Sequence, residues 1–384
     1  TGLIPGIHIN LVSIILISLI PSITFLQTFP AIALILFIIS MSITHTFLDF
    51  IPSIYLGAPD EDSFLSILPG HQLLKEGQGH QAVLLTLLGS LTAIPIILIF
   101  TPIFILTIPS IYQTSQALLP YLLIFISLFL IFRQEEIIPT LIVFLLAGFL
   151  GFAALSLPIK EPLFPLLTGL FGISTLIISL KNKTTLPKQK IESIKTAFLP
   201  KKDFLKSSIA AAISAPLCSF LPGIGSGHAA LIGSEIFPQT NKTFLFLVGA
   251  INTIVVALSF ITLYTIQKSR TGVAAAIFQL SPQLTFQQLI FITLTIILTG
   301  IIAFFLGIQI SKLFSLTLNK LNYKYISISI ITFLIILSLL ISNPLGFLVL
   351  ITSSALGIFT ILTGVKRINL MGCLIIPTII FYLI

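Results

Sequence analysis

The 384-residue chain predicts an all-α polytopic membrane protein of two inverted-topology repeats with re-entrant helical hairpins. Three observations carry that prediction. The first is composition: 56% hydrophobic residues, 8% charged residues and a mean hydropathy of +1.17 are more apolar surface than a soluble fold can cover. Many segments reach the roughly 20 apolar residues needed to cross a hydrocarbon core. The second is a pair of Pro-Gly interruptions in corresponding places of the two halves. The third is a charge bias that reverses between equivalent loops.

The first repeat is expected over residues 1–182. Its Pro-Gly interruption lies in Leu3-Ile4-Pro5-Gly6-Ile7-His8-Ile9-Asn10. The second half carries Phe220-Leu221-Pro222-Gly223-Ile224-Gly225-Ser226-Gly227-His228. Proline removes a donor and clashes with the preceding turn, and glycine frees the backbone, so helices end there and expose peptide groups. Irregular backbone at membrane depth is tolerated only where it is buried in protein or lines a wet cavity. Broken helices in register in two halves are the sequence pointer to a transporter's central site. The second half has an extra span before its break, Phe204 to Phe220, so a helix before Thr1 is expected to be missing from the chain.

After the first break come His45 and Asp49, four residues apart and on one helix face, with Pro52 disturbing the same helix. A second polar interruption comes next, Leu56-Gly57-Ala58-Pro59-Asp60-Glu61-Asp62-Ser63 and then Ile67-Leu68-Pro69-Gly70-His71. A helix is expected from Gly79 through Phe100, an uncharged loop from Pro109 to Ala117, and spans over Leu119 to Phe132, Ile137 to Leu157 and Pro162 to Leu180. The only long polar stretch then divides the chain. Over residues 183–203 it reads as a cytoplasmic basic connector, with lysines such as Lys188, Lys190, Lys201 and Lys202 against Glu192 and Asp203.

The second repeat is expected over residues 204–384. Thr285 through Leu306 matches the Gly79–Phe100 helix, and three further spans are expected over Tyr325 to Ile341, Leu345 to Gly364 and Ile368 to Ile384. The loop around Lys320 and Lys324 is basic, whereas its counterpart at Pro109–Ala117 is uncharged; Lys366-Arg367 is basic, whereas Lys160-Glu161 is neutral. Equivalent loops of opposite bias lie on opposite sides of the membrane, so the repeats are inverted. A multi-pass cell-membrane location follows, with membrane lipids as surroundings.

The candidate substrate-binding residues are Pro5, Gly6, His8, Asn10, Pro222, Gly223, Gly225, Ser226, Gly227, His228 and Asn252. Helix N-termini opened by Pro-Gly favour anionic groups, and an imidazole in a span suits anion binding or proton coupling. The structural alternatives are a simple kink, tight helix packing, and hydrogen bonds between helices. His45, Asp49 and Asp60 are the ion-coupling candidates, because an acidic group in a span calls for a cation or proton. Against that stand a structural His–Asp pair and, for Asp60-Glu61-Asp62, a solvated loop. Arg270, one of three arginines, lies by a predicted hairpin and reads equally as a carboxylate or phosphate clamp and as an interfacial anchor. No catalytic residues, cofactor or metal site are expected. There is no His-Glu-x-x-His, Ile224 stands where a Gly-x-Ser-Gly nucleophile would need glycine, and Cys218 and Cys373 have no metal or redox spacing. The formal charge of +8 comes from loop lysines, the bias of membrane proteins, so no nucleic-acid partner is implied.

Leu221-Pro222-Gly223-Ile224-Gly225 and the stretch Leu68-Pro69-Gly70-His71-Gln72-Leu73-Leu74-Lys75-Glu76-Gly77-Gln78-Gly79-His80-Gln81-Ala82 resemble the large membrane subunit (permease) of the tripartite tricarboxylate transporters, in a divergent archaeal-type form. The resemblance covers nearly the whole chain. It departs from the family pattern at Pro69-Gly70-His71, where Asp-Gly-Tyr is usual, at Asp60-Glu61-Asp62 and at His8. It implies a permease driven by a Na⁺ or H⁺ gradient for an anionic organic solute, a carboxylate. The partners it implies are a small membrane subunit and an external solute-binding protein. Pro222-Gly223-Ile224-Gly225-Ser226-Gly227 is also similar to a Pro-Gly-Val-Ser-Gly-Gly pattern of polyprenyl-phosphate translocases, which keeps a lipid-phosphate cargo as an alternative. A non-transporting scaffold subunit of the same fold is a third reading.

Overall fold

The computed structural model describes residues 2–3, 9–56, 63–115, 118–160, 162–182, 187–219, 225–318 and 323–383. Among them there is helix and no strand. The first half contains α1 (Ile9–Leu19), the short α2 (Thr24–Gln27), α3 (Ala31–Leu48), α4 (Phe50–Leu56), α5 (Ile67–Lys75), α6 (Gly79–Ser115), α7 (Leu119–Phe132), α8 (Ile137–Ser156), α9 (Leu163–Leu167) and α10 (Ser174–Lys181). The second contains α11 (Lys201–Ser219), α12 (Ser226–Ile236), α13 (Asn241–Ile266), α14 (Gly272–Leu280), α15 (Phe286–Leu318), α16 (Tyr323–Leu362) and α17 (Gly372–Leu383). Many of these helices are rich in β-branched isoleucine, a mediocre helix former in water. Hydrocarbon reverses that preference, because only a helix or a closed barrel satisfies every backbone group without water.

Among the described residues, seven helical stretches are long and apolar enough to cross a membrane: Ala31–Leu56, Gly79–Tyr112, Ile137–Ser156, Leu163–Lys181, Asn241–Ile266, Phe286–Leu318 and Ser342–Leu362. The chain is therefore a multi-pass, all-α membrane protein. The α13 window is 89% buried and the α15 window only 33%, so α13 is the central post and α15 faces outward.

Two sequence expectations are corrected. The helix from Gly79 does not stop near Phe100 before an uncharged loop; α6 continues through Pro109 to Ser115. Pro95, Pro102 and Pro109 all lie inside it, each seven residues from the next and so on nearly the same face. In α6 threonine hydroxyls bond carbonyls one turn back, Thr92 to Leu88 at 2.7 Å and Thr101 to Ile97 at 2.8 Å. Membrane helices tolerate prolines where such side chains and neighbouring helices supply polar contacts. In the second half α15 likewise runs past Leu306, to Leu318. By contrast α16 breaks where the sequence places a boundary, at Asn343 (φ 64°, ψ 179°) before Pro344. Asn343 Oδ1 accepts from Leu345 N at 3.0 Å, capping the next stretch of helix.

Close packing rests on glycine. A Cβ on Gly89 of α6 would strike the Phe246 carbonyl oxygen, and one on Gly249 of α13 would strike that of Thr86. The two backbones therefore touch, and Ser90 Oγ donates to Gly249 O at 3.0 Å across the same crossing. Gly151 of α8 sits against Cys373 O of α17, and Gly357 of α16 against Leu170 O. Small residues at crossings are what membrane helices use when lipid supplies no hydrophobic drive to associate. The segment between α9 and α10 is a π-helix, Thr168–Ile173. The Arg367 guanidinium reaches into it, donating to Leu170 O (2.8 Å), Phe171 O (2.6 Å), Ser174 Oγ (3.1 Å) and Thr175 Oγ1 (2.6 Å).

The described part of the connector is docked rather than free. Gln189, 5% exposed, accepts from Gly79 N at 3.0 Å and donates to Leu74 O at 3.0 Å. It thereby joins the end of α5 to the start of α6. Lys190 N donates to Gly77 O at 2.8 Å and Gln81 Nε2 to Thr196 O at 2.8 Å. Arg133 pairs with Glu235.

Because backbone oxygens cannot yield at the α6–α13 crossing, Gly249→Ala is expected to destabilise the protein by about 1–3 kcal/mol, as overpacking does. Gly300→Ala, whose nearest neighbour is the flexible Ile94 Cδ1, is expected to cost clearly less. Thermal unfolding of both variants in detergent measures the difference.

Candidate functional site

The site is built where α3 ends against the middle of α13. Pro52 cannot donate to Leu48, so the helix is interrupted and Asp49 becomes the C-cap of α3, its N–H bonding His45 O at 3.0 Å. Asp49 is buried at 1% exposure, as is Asn252 of α13 at 0%. Asn252 Nδ2 donates to Asp49 Oδ2 at 2.9 Å. One turn earlier on α3, Thr46 Oγ1 lies 3.1 Å from Thr253 Oγ1. Two polar rungs therefore join a helix of the first half to one of the second inside an apolar core. Asn252 Oδ1 is buried with no hydrogen-bond partner. The pair thus presents carboxylate and carbonyl oxygens together, the ligand type that hard cations and protons seek.

The flank of the first interruption approaches this point, and that of the second opens a helix packed on α13. Gly2 lies against α3, where an added Cβ would stand 3.1 Å from His45 O and 3.2 Å from Asp49 N. Gly225 precedes α12, its carbonyl accepting from Ala229 N at 3.3 Å, and Ser226 and Gly227 are buried in the first turn. Gly233 of α12 faces Leu247 and Ile251 of α13, the latter being the residue before Asn252. Both α1 and α12 begin directly after their Pro-Gly segment.

Among the sequence candidates, the structure brings Asp49 and Asn252 into contact, with His45 buried one turn before Asp49. Gly225, Ser226 and Gly227 open α12 beside α13. Asn10 sits at the start of α14, where its Oδ1 accepts from Val273 N at 3.1 Å. Pro5, Gly6, His8, Asp60, Pro222 and Gly223 lie outside the described residues, as does the side chain of His228. No group of three or more His, Cys, Asp or Glu suited to a metal is found among the described residues.

The Thr46–Thr253 rung escaped sequence reading, although Thr46 and Asp49 three apart, and Asn252-Thr253, are polar pairs within apolar runs. A further polar cluster joins α4, α6 and α15. Tyr55 Oη lies 2.6 Å from Ser315 Oγ and 3.0 Å from Ser311 Oγ, and His80 Nδ1 lies 2.9 Å from that same Ser311 oxygen. Arg270, between α13 and α14, is pushed below the usual guanidinium range by burial, with Tyr112 and Tyr382 opposing that shift.

The tripartite tricarboxylate transporter TctA family matches this chain over residues 1–372. A protein of Methanocaldococcus jannaschii, "Uncharacterized protein MJ1079", is 31% identical over 395 residues, covering 100% of this chain and 96% of that protein. No solved structure matches.

The hydrogen bond between Asp49 and Asn252 is fully buried, so Asn252→Leu is expected to destabilise the protein by about 1–3 kcal/mol. Exchanging the two residues, Asp49→Asn with Asn252→Asp, should recover most of that loss. A double-mutant cycle on thermal unfolding reads the coupling.

Proposed function

The chain belongs to the tripartite tricarboxylate transporter TctA family, and on that premise we propose a secondary-active permease for an organic carboxylate, driven by a Na⁺ or H⁺ gradient. The observation that carries the reading is the buried Asp49–Asn252 pair between the two halves, with the unpartnered Asn252 Oδ1 beside it. A carboxylate in a membrane span is costly while charged, and a bound proton or sodium ion relieves that cost. Helix N-termini opened at the two interruptions would favour an anion. Cation and carboxylate would then neutralise each other in one dry chamber, which links the two binding events energetically.

Inverted repeats fit the way the helices exchange partners. α6 packs on α13 while α15 packs on α3, α8 packs on α17 while α16 packs on α9 and α10, and α5 packs on α13 while α14 packs on α3. If α3 corresponds to α13, α5 to α14, α6 to α15, α8 to the latter part of α16 and α9–α10 to α17, each contact is the image of another. Alternating access by rocking one part against the other is the motion such pairs support. In a tripartite system an external binding protein would deliver the solute, and a small membrane subunit would complete the assembly.

Proteoliposomes holding the purified protein test the reading. Labelled citrate or succinate is expected to accumulate under an inward Na⁺ or proton gradient, and Asp49→Asn should abolish the gradient dependence. Gly225→Val should stop uptake in protein that still elutes as a folded species. Absence of gradient-driven uptake for every di- and tricarboxylate, with translocation of a polyprenyl phosphate instead, would replace the carboxylate with a lipid cargo.

A further inference from the structure

Arg270 stands apart from the chain's other buried arginine. Both of its terminal nitrogens, Nη1 and Nη2, are buried, and neither has a hydrogen-bond partner. Its guanidinium lies over the Tyr112 ring, 5.7 Å from the centroid. Cation–π contact stabilises the guanidinium from its face but does nothing for the terminal N–H donors in its plane. Removing a charge from water without a hydrogen-bonded counter-charge is among the costlier arrangements in a protein. A planar fork stacked on a ring, with its terminal donors enclosed yet unbonded, offers two parallel bonds to a carboxylate that reaches it.

Its place in the fold says which carboxylate. Tyr112 is 33 residues along α6 from Gly79, about 50 Å of helix, and Gly79 is tied to the lysine-rich connector through Gln189. Arg270 therefore sits at the opposite end of the membrane domain from the connector lysines, which the positive-inside bias assigns to the cytoplasm. That end is the external mouth. Exposed Lys268 adds positive charge two residues away, where it would draw anions in. Three residues beyond Arg270, Val273 N is held by Asn10, which comes just after the first Pro-Gly interruption.

We infer that Arg270, stacked on Tyr112, is an outer loading site that binds a carboxylate of the arriving solute before it reaches the chamber at Asp49 and Asn252. The inference rests on the permease reading above and adds a second anion site to it. The solute's carboxylate takes the edge of the guanidinium while the tyrosine ring keeps its face. From there Asn10, which holds Val273 N of α14, connects the loading site to α1.

The chain contains no tryptophan, which gives the site its own reporter. Tyr112→Trp keeps an aromatic face under Arg270 and places a lone indole there. Citrate is expected to change its fluorescence saturably, acetate weakly, and Arg270→Gln in the same background should remove the response. In transport, Arg270→Gln should raise the KM for citrate by about tenfold or more with little change in maximal rate, because it removes a bidentate contact made on entry. Arg270→Lys keeps the charge without the fork and should fall between; it replaces Arg270→Gln if that variant does not elute as a folded species. Uptake with unchanged KM, or an indole response that persists without the arginine, would overturn the loading site while leaving the permease intact. A saturable, Arg270-dependent response in a protein that moves no carboxylate would overturn the permease and leave the anion site standing.

Discussion

Where α6 crosses α13, two peptide backbones meet with no side chain between them, at Gly89 and Gly249. The rest of the architecture depends on this contact. It lets α13 sit in the middle of the protein, enclosed along most of its length, and it fixes the height and rotation of the helix. Gly249 lies three residues before Asn252, so the crossing also aims Asn252 across the core at Asp49. A side chain at either glycine would push the helices apart and move the polar rungs with them. In the candidate site, packing and chemistry are the same few residues.

Water is absent from the hydrocarbon core, so each buried polar group either finds a partner in the protein or stands ready for a ligand. Two arginines illustrate both outcomes. Arg367 spends its donors on the carbonyls and hydroxyls around the π-helix, Thr168–Ile173, and so holds an irregular segment together. Arg270 keeps both terminal nitrogens unbonded and rests on an aromatic ring at the other end of the fold. The same contrast separates Tyr55, bonded to two serines of α15, from the open Oδ1 of Asn252. Bonded groups of this kind hold elements in place; Arg270 and Asn252 are the groups for which a ligand is proposed.

The connector shows how a polar segment can be structural without entering the membrane. Gln189 bonds both the last turn of α5 and the first amide of α6, so the turn at Glu76–Gln78 is held by a residue more than a hundred positions away. The tip of α5 is thereby anchored to one face of the protein. Its proposed counterpart α14 is anchored at the other face by Asn10 and Thr271, which both bond amides of its first turn. Each short helix thus has one firmly held end and lies against α13 or α3, respectively.

Membrane character, the helices from Leu119 to Leu180 and the boundary at Asn343-Pro344 were legible in the sequence, because apolar length and proline chemistry act locally. Asp49 and Asn252 were legible as residues too costly to bury idly. Their contact was not, since 203 positions separate them and only the crossing of helices brings them to 2.9 Å. Nor was the continuation of α6 past three prolines, which local rules score as an end and which threonine hydroxyls and surrounding helices make tolerable. By itself the sequence determined that this chain lives in a membrane and carries a few polar groups that demand a reason. Only the tertiary structure decided which of those groups meet, because in a medium without water a polar atom's role is set by the neighbour that long-range packing supplies.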